Sequence, residues 1–181
     1  MATELQKRKW PNLFKMLDFN GDGVVEKADI ETMAIQIAGM RGFSPGSPQH
    51  EELHGSFMGF WSGVEELADT DKDDKVSLAE WLAYWTKVTE SPQMYQSVNK
   101  PLSEFIFGLL DEDGDGQITI DEYRQFYKMM RMSEAFADEM FSKLDLNQDD
   151  GISMEGLLTL TEQFFVGDDP NAPGNLFFGP I

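Results

Sequence analysis

Residues 111–122 carry the oxygen-bearing side chains that would surround one calcium ion. Calcium takes six to eight oxygen ligands, which a twelve-residue loop supplies from acidic side chains at positions 1, 3 and 5, a backbone carbonyl at position 7 and a bidentate carboxylate at position 12. These positions hold Asp111, Asp113, Asp115, Gln117 and Glu122. Gly116 at position 6 permits the positive φ of the sharp turn, so the segment predicts a calcium site.

Residues 18–29 repeat this order with a different closing ligand. The residues at positions 1, 3, 5, 7 and 12 are Asp18, Asn20, Asp22, Val24 and Asp29. Aspartate is one methylene shorter than glutamate, so Asp29 reaches an ion less readily with both oxygens. A six-coordinate shell of the kind that magnesium requires is therefore favoured. We expect a calcium site here at which magnesium competes.

Residues 69–80 repeat the order with a different turn. The expected ligands are Asp69, Asp71, Asp73, the carbonyl of Lys75, Ser77 and Glu80. Asp74 stands where glycine is usual, and aspartate is one of the few other residues that tolerates positive φ. We expect a third ion in this loop, bound against some backbone strain.

Residues 145–156 begin in the same way but lack the closing ligand. Asp145, Asn147 and Asp149 occupy positions 1, 3 and 5, whereas position 12 falls on Gly156. The pattern predicts a degenerate loop that holds no ion and braces its neighbour. A weak site closed by Glu155, one residue early, is the alternative.

Apolar residues recur at the i, i+3, i+4, i+7 spacing of one helical face on both sides of each loop. The residues in this pattern are Trp10, Leu13, Phe14, Leu17, Ile30, Met33, Ala34, Ile37, Phe57, Phe60, Trp61, Val64, Trp81, Leu82, Trp85, Val88, Leu102, Phe105, Ile106, Leu109, Tyr123, Phe126, Tyr127, Met130, Phe136, Met140, Leu144, Leu157, Leu158, Phe164 and Phe165. They predict eight helices in four pairs, with Ser133 as a helix cap. The position-8 residues then form two short strand pairings, Val25 with Val76 and Ile118 with Ile152.

Two segments rich in proline interrupt the helical patterns and predict loops, at residues 41–49 and 91–101. The first lies between two helix-loop-helix units, and the second separates the first pair of units from the second pair. We expect an all-α fold of four units in two lobes, spanning 1–91 and 100–181. The second lobe ends in a packing tail in which Leu176, Phe177 and Phe178 cover remaining apolar surface.

The formal net charge of −19, from 33 acidic and 14 basic residues, argues against a nucleic-acid surface and suits cation binding. The absence of cysteine excludes disulfides and thiolate zinc sites and suits a reducing compartment. With no long apolar run, we expect a cytoplasmic protein without a stable membrane anchor. The basic residues Lys7, Arg8 and Lys9 are expected on a solvated helix face, with contact to an anionic membrane as the alternative.

The four helix-loop-helix units resemble the EF-hand superfamily. The tail segments at 164–169 and 174–180, together with Trp61, Trp81 and Trp85, are similar to invertebrate sarcoplasmic calcium-binding proteins and calexcitins. The resemblance implies one compact globule whose two lobes pack face to face and bury their apolar surfaces. It also implies a calcium and magnesium buffer, and the degenerate fourth loop resembles the calexcitin pattern.

A buffer, which we expect to be a monomer, is the main functional prediction, and two alternatives stay open. Clustered methionines, Met129, Met130 and Met132, would suit a calexcitin-like sensor that grips a protein partner. The second alternative is a carrier of an apolar ligand such as a luciferin. A photoprotein is disfavoured because the pocket of that family uses several histidines, whereas this chain has only His50 and His54, both expected to face solvent. No enzyme is expected, since neither a phosphate-binding glycine loop nor a nucleophile motif occurs.

Overall fold

The computed structural model describes residues 2–130 and 136–180. Eight α-helices lie within these residues: α1 Glu4–Leu17, α2 Lys27–Met40, α3 Pro48–Ala68, α4 Leu78–Glu90, α5 Pro92–Leu110, α6 Ile120–Met129, α7 Ala137–Leu144 and α8 Met154–Phe165. The strands are β1 Val24–Glu26, β2 Lys75–Ser77, β3 Gln117–Thr119 and β4 Gly151–Ser153. The prediction of an all-α fold of four helix-loop-helix units is confirmed.

The four strands form two antiparallel pairs, each joining two neighbouring loops. In the first pair Val25 lies opposite Val76, and in the second Ile118 lies opposite Ile152, as predicted. All four position-8 side chains are buried. An ion pair of 3.0 Å between Lys75 Nζ and Glu26 Oε2 joins the first pair of strands. Each pairing therefore fixes the relative register of two loops.

The chain divides into two compact units, Leu13–Trp85 and a second that joins Met1–Asn12 to Thr86–Ile181. The predicted bounds of 1–91 and 100–181 assign the first twelve residues to the N-terminal lobe; those bounds stay a prediction.

In the unit Leu13–Trp85, α2 packs against α3. Aromatic side chains of α4 form a cluster because Trp81 and Trp85 are one helical turn apart. Their ring centroids are 5.8 Å apart in an edge-on arrangement, and Phe14 lies 6.2 Å from Trp81. All three rings are buried, so the apolar faces predicted for these helices are used as the core of this unit.

In the other unit, α5 and α8 pack together and the C-terminal tail closes the core. A short 3-10 turn, Pro173–Leu176, turns the chain back along α8. Phe177 and Phe178 are 0% and 3% exposed, and the Phe178 ring packs edge-on against Phe164 at 4.7 Å. The expectation that Phe177 and Phe178 cover apolar surface is therefore confirmed, while Leu176 is half-buried.

The expectation of a solvated basic face is wrong at Lys9, which is 0% exposed. Its ammonium donates hydrogen bonds to the carbonyls of Gln163 (2.6 Å) and Gly167 (2.8 Å) and to Asn175 Oδ1 (2.8 Å). The end of α8 presents carbonyl groups without helical partners, which carry negative partial charge and attract a cation. Lys7 meets the expectation, since it is exposed and pairs with Glu4.

The expectation of a loop at 91–101 is also wrong, because α5 begins at Pro92. Ser91 caps the helix by accepting a hydrogen bond from the Met94 N–H, and proline is favourable in a first helical turn because it has no N–H to satisfy. Pro101 lies inside α5, where the burial of Leu102 and neighbouring residues holds the helix together. At 41–49 the loop is shorter than predicted, since α3 begins at Pro48.

Two further expectations for side chains are corrected. Phe136 is 49% exposed rather than buried, because α7 begins one residue later. His50 and His54 are half-buried rather than solvent-facing, and their rings stack 6.4 Å apart. The predicted cap Ser133 and the clustered Met132 lie outside the described residues. Across residues 2–130 and 136–180, no helix has the length and apolar character needed to span a membrane.

Candidate metal centre

Loop three, residues 111–122, begins at the end of α5 and closes in the first turn of α6. Carboxylate oxygens of Asp111, Asp113 and Asp115 all lie within 4.8 Å of one another. Asp111 Oδ1 is buried and accepts no hydrogen bond from any residue that the structure describes. An acceptor-only oxygen in this position, within a cluster of three carboxylates, fits a hard cation such as calcium.

The closing carboxylate of loop three is held by backbone N–H groups. Glu122 Oε1 accepts from the Glu112 N–H and Oε2 from the Thr119 N–H, both at 2.8 Å. Thr119 in turn caps α6 and completes a capping box with Glu122. Although burial raises the pKa of Glu122, these hydrogen bonds outweigh it and hold the pKa below its usual value. The carboxylate is therefore ionised and positioned at neutral pH.

Loop two, residues 69–80, has the same construction. Carboxylate oxygens of Asp69, Asp71 and Asp73 lie within 4.8 Å of one another. Hydrogen bonds of 2.9 Å from the backbone N–H groups of Ser77 and Thr70 lower the pKa of Glu80 to about 2.

The turn of loop two is strained, as the sequence predicts. Asp74 adopts φ 64°, and Lys72 two residues earlier adopts φ 65°. Both values lie in the left-handed region, which costs L-residues roughly 1–2 kcal/mol each. The loop keeps its fold, because the N–H groups of both residues donate to the carboxylate of Asp69.

Loop one, residues 18–29, closes with a shorter and more deeply buried side chain. Asp29 is 2% exposed and accepts from the N–H groups of Asn20 (3.1 Å) and Glu26 (3.0 Å). Burial raises the pKa of Asp29, and the negative charges of Asp18 and Asp22 raise it further. The two backbone hydrogen bonds lower the pKa but do not outweigh these effects. A cation among the three carboxylates would remove this repulsion.

Loop four, residues 145–156, forms its first half normally. Asp145 Oδ1 accepts from the Gln148 N–H (2.9 Å) and Oδ2 from the Asp150 N–H (3.0 Å), as Asp18 and Asp69 do in their loops. Asp150 adopts φ 68° at position 6. A Cβ added at Gly151 would lie 2.9 Å from Gln117 Oε1 and 3.2 Å from Gln117 Cβ, so a side chain at position 7 would require Gln117 to shift.

The structure thus places the predicted acidic ligands of loops two and three in two clusters. Ligand positions alone do not reveal the groups that position the closing glutamates. Glu80 is held by the Thr70 N–H and the Ser77 hydroxyl. Glu122 is held by the Glu112 N–H and the Thr119 hydroxyl. The Ser/Thr-x-x-Glu spacing of a capping box is the signal that identifies the two hydroxyl residues. Within the described part of the chain, His50 and His54 join no group of three candidate ligands.

A family profile described as EF hand matches residues 103–127 of the chain. Among curated relatives, calerythrin of Saccharopolyspora erythraea is 29% identical, with 92% of this chain and 96% of that protein covered. The sarcoplasmic calcium-binding protein beta chain of Penaeus sp. is also 29% identical, over 95% of this chain and 96% of that protein.

These matches support an EF-hand family of the sarcoplasmic calcium-binding type. A solved structure of a sarcoplasmic calcium-binding protein from amphioxus superposes with a TM-score of 0.77 over 100% of both chains, at 22% identity. This similarity confirms the predicted fold.

Proposed function

We propose that this EF-hand protein binds calcium at loops 18–29, 69–80 and 111–122 and acts as a calcium and magnesium buffer. The observation that carries the proposal is that each closing carboxylate is already held by two backbone N–H groups. A preorganised ligand loses little conformational freedom when the ion arrives. Relatives named as calcium-binding proteins support the choice of ion.

Magnesium is proposed to compete most strongly at loop 18–29. Asp29 is shorter than the glutamates that close the other two loops, and magnesium requires near-ideal six-coordinate geometry. Its burial also limits how far the carboxylate can shift to offer a second oxygen to calcium.

The C-terminal tail supports a buffer over a sensor. A sensor exposes an apolar groove when calcium binds. Here Phe177 and Phe178 fill the apolar surface beside α8, and the Tyr123 hydroxyl donates to the Phe177 carbonyl at 3.3 Å. Exposing two buried phenylalanines costs roughly 3–6 kcal/mol, which calcium would have to supply through tighter binding to the open form.

Calcium titration calorimetry, with and without millimolar magnesium, tests the proposal. We expect three calcium equivalents, with the apparent affinity of at least one reduced by magnesium. Dye fluorescence with anilinonaphthalene sulfonate separates the roles: a signal unchanged by calcium supports a buffer, whereas a calcium-dependent rise supports a calexcitin-like sensor. A stoichiometry of one calcium would contradict the proposal.

A carrier of an apolar ligand is the second candidate, favoured by two polar atoms in α5. Tyr95 Oη and Asn99 Oδ1 are buried, have no hydrogen-bond partner among the described residues, and lie one helical turn apart. Such atoms are suited to orient an otherwise apolar ligand. Coelenterazine added to the protein should then bind and quench tryptophan fluorescence, and Asn99→Leu should weaken binding. Absence of quenching would remove this candidate.

We further infer a cytoplasmic monomer without catalytic activity. The lack of cysteine suits a reducing compartment, and the metal loops account for the clustered acidic residues. Light scattering with and without calcium should give the mass of one chain, 20.5 kDa, in both conditions. A calcium-dependent doubling of the mass would contradict the monomer.

A further inference from the structure

Two histidines lie one helical turn apart near the start of α3. His50 and His54 are four positions apart, and Glu51 directly follows the first of them. The order His-Glu-x-x-His on a helix is an arrangement that holds zinc in proteins, because side chains at i and i+4 lie on the same face. The segment is helical, as this arrangement requires, since α3 spans Pro48–Ala68. Neither histidine belongs to a proposed calcium loop.

The two imidazole rings are already close together and aligned. The ring centroids of His50 and His54 lie 6.4 Å apart, and the ring planes differ by 3°. With zinc–nitrogen bonds of about 2 Å, two imidazoles that share a tetrahedral ion have centroids about 5 Å apart. An approach of the rings by about 1 Å would therefore allow both to bind one ion, and small changes in side-chain torsion supply it.

The two rings lie at the edge of the core of their unit. They continue the buried stripe of α3 that contains Phe57 and Trp61, and the His50 side chain is 19% exposed. His50 Nδ1 is buried and has no hydrogen-bond partner among the described residues. Buried polar atoms are nearly always paired, so a ligand that also pairs this nitrogen would stabilise the ring.

Glu51 is placed to orient the ring of His50. Its Oε1 lies 3.6 Å from His50 Nδ1, just beyond hydrogen-bond length. A neighbouring carboxylate favours the tautomer with the proton on Nδ1, which leaves the lone pair of Nε2 for a metal. A cation on Nε2 would make the Nδ1–H a stronger donor to the carboxylate. Histidine ligands of metals commonly donate their other N–H to a carboxylate in this way.

Imidazole nitrogen selects a different class of ion from the calcium loops. It suits zinc, copper and nickel, whereas calcium and magnesium prefer oxygen. We propose that His50 and His54 form a site for a divalent transition-metal ion such as zinc, held by two imidazoles and completed by water. Catalytic zinc sites use three protein ligands, and in the described ranges 2–130 and 136–180 no third carboxylate or imidazole completes the cluster. The site therefore binds the ion without a hydrolytic role.

Zinc titration of the full chain in saturating calcium, followed by NMR, tests the inference. Calcium occupies the proposed carboxylate loops, and the chain contains only two histidines, so the imidazole proton signals report on this site alone. Both imidazoles should respond to zinc and saturate at one equivalent, whereas magnesium at the same concentration should affect neither. Unchanged signals with zinc, or a response of only one imidazole, would overturn the inference. Saturation at half an equivalent with a doubled mass would also overturn it, because the ion would then bridge two copies of the chain.

Three variants separate metal binding from a structural role of these residues. His54→Gln should weaken zinc binding, read from the remaining His50 signal, by at least about tenfold, because the ion loses one arm of a chelate. Glu51→Gln should weaken binding by a smaller factor, since both imidazoles remain but the His50 ring is less well oriented. Glu52→Gln is the matched control, with the same change of charge at an exposed position of the same helix.

Equal zinc affinity in the unmodified protein and His54→Gln would overturn the site. Equal losses in Glu51→Gln and Glu52→Gln would overturn the orienting role of Glu51. Circular dichroism without zinc should show unchanged helix content in all three variants, so that a loss of affinity reports on the ligands and not on folding. None of these readouts depends on how many calcium ions the loops bind, so failure of the proposed function would be seen separately.

Discussion

Replacing Lys9 by methionine removes a buried ammonium and puts an uncharged side chain of similar volume in its place. Three acceptors then lose their donor: the carbonyls of Gln163 and Gly167, and the side chain of Asn175. Asn175 is 1% exposed, so water cannot readily replace the ammonium. Methionine keeps the packing of the lysine stem, which isolates the polar contribution.

The size of the effect follows from two opposing contributions. Leaving a buried acceptor unpaired costs about 1–3 kcal/mol, so three of them cost roughly 6 kcal/mol. Burial lowers the pKa of Lys9 from 10.5 to about 8, although the negative charge of Asp168 acts in the opposite direction. This shift corresponds to a cost on the order of 3 kcal/mol for keeping the ammonium charged in the folded protein, and methionine removes that cost together with the charge. We therefore expect Lys9→Met to lower the free energy of unfolding by about 3 kcal/mol.

Urea unfolding in saturating calcium, followed by tryptophan fluorescence, measures this difference. With an m value of about 2 kcal/mol per molar urea, the midpoint should fall by roughly 1.5 M. Lys7→Met is the matched control, because Lys7 forms an exposed ion pair that contributes at most about 1 kcal/mol. If both variants unfold at the same midpoint, Lys9 does not secure the tail and the reasoning is refuted.

Three further outcomes are expected. The unmodified protein should gain stability relative to Lys9→Met between pH 8 and about 10, because the folded state releases the Lys9 proton at a lower pH than the unfolded state does. Urea midpoints of both proteins at several pH values check this. A difference between the two midpoints that stays constant with pH would contradict it. Asp74→Gly should stabilise the calcium-free protein by about 1 kcal/mol in thermal unfolding by removing strain at φ 64°, and a lower melting temperature would show that the turn is not strained. Phe177→Ala should lower the free energy of unfolding by about 3–5 kcal/mol and increase dye binding. Ile35→Ala, at an exposed position, should change the free energy of unfolding and the dye binding little. Equal effects of the two substitutions would contradict the packing of the tail.

Much of the fold follows from local pattern. Ile118 and Ile152 pair as predicted because position 8 of each loop has a fixed geometry relative to its own ligands. Asp74 adopts positive φ because position 6 of the loop forms the sharp turn, whichever residue stands there. Helical faces such as the one containing Trp81 and Trp85 repeat at a spacing that only a helix brings together.

Features that depend on distant partners could not be predicted in this way. The acceptors of Lys9 lie more than 150 residues away along the chain, and a charged residue near a terminus is ordinarily solvated. Proline interrupts helices in general, which predicts a loop at Pro92, although proline is favourable in a first helical turn after a capping residue such as Ser91. The backbone N–H groups at position 2 that hold Glu80 and Glu122 are evident only in three dimensions.

Calcium titration of the unmodified protein beside Glu122→Gln tests the central claim most directly. Glutamine keeps the shape of the closing side chain of loop three but lacks the charge and the second oxygen ligand for calcium. In carboxylate-free buffer, the unmodified protein should bind three calcium ions and the variant two. Equal stoichiometry and affinity in the two proteins would contradict the assignment of residues 111–122 as a calcium site.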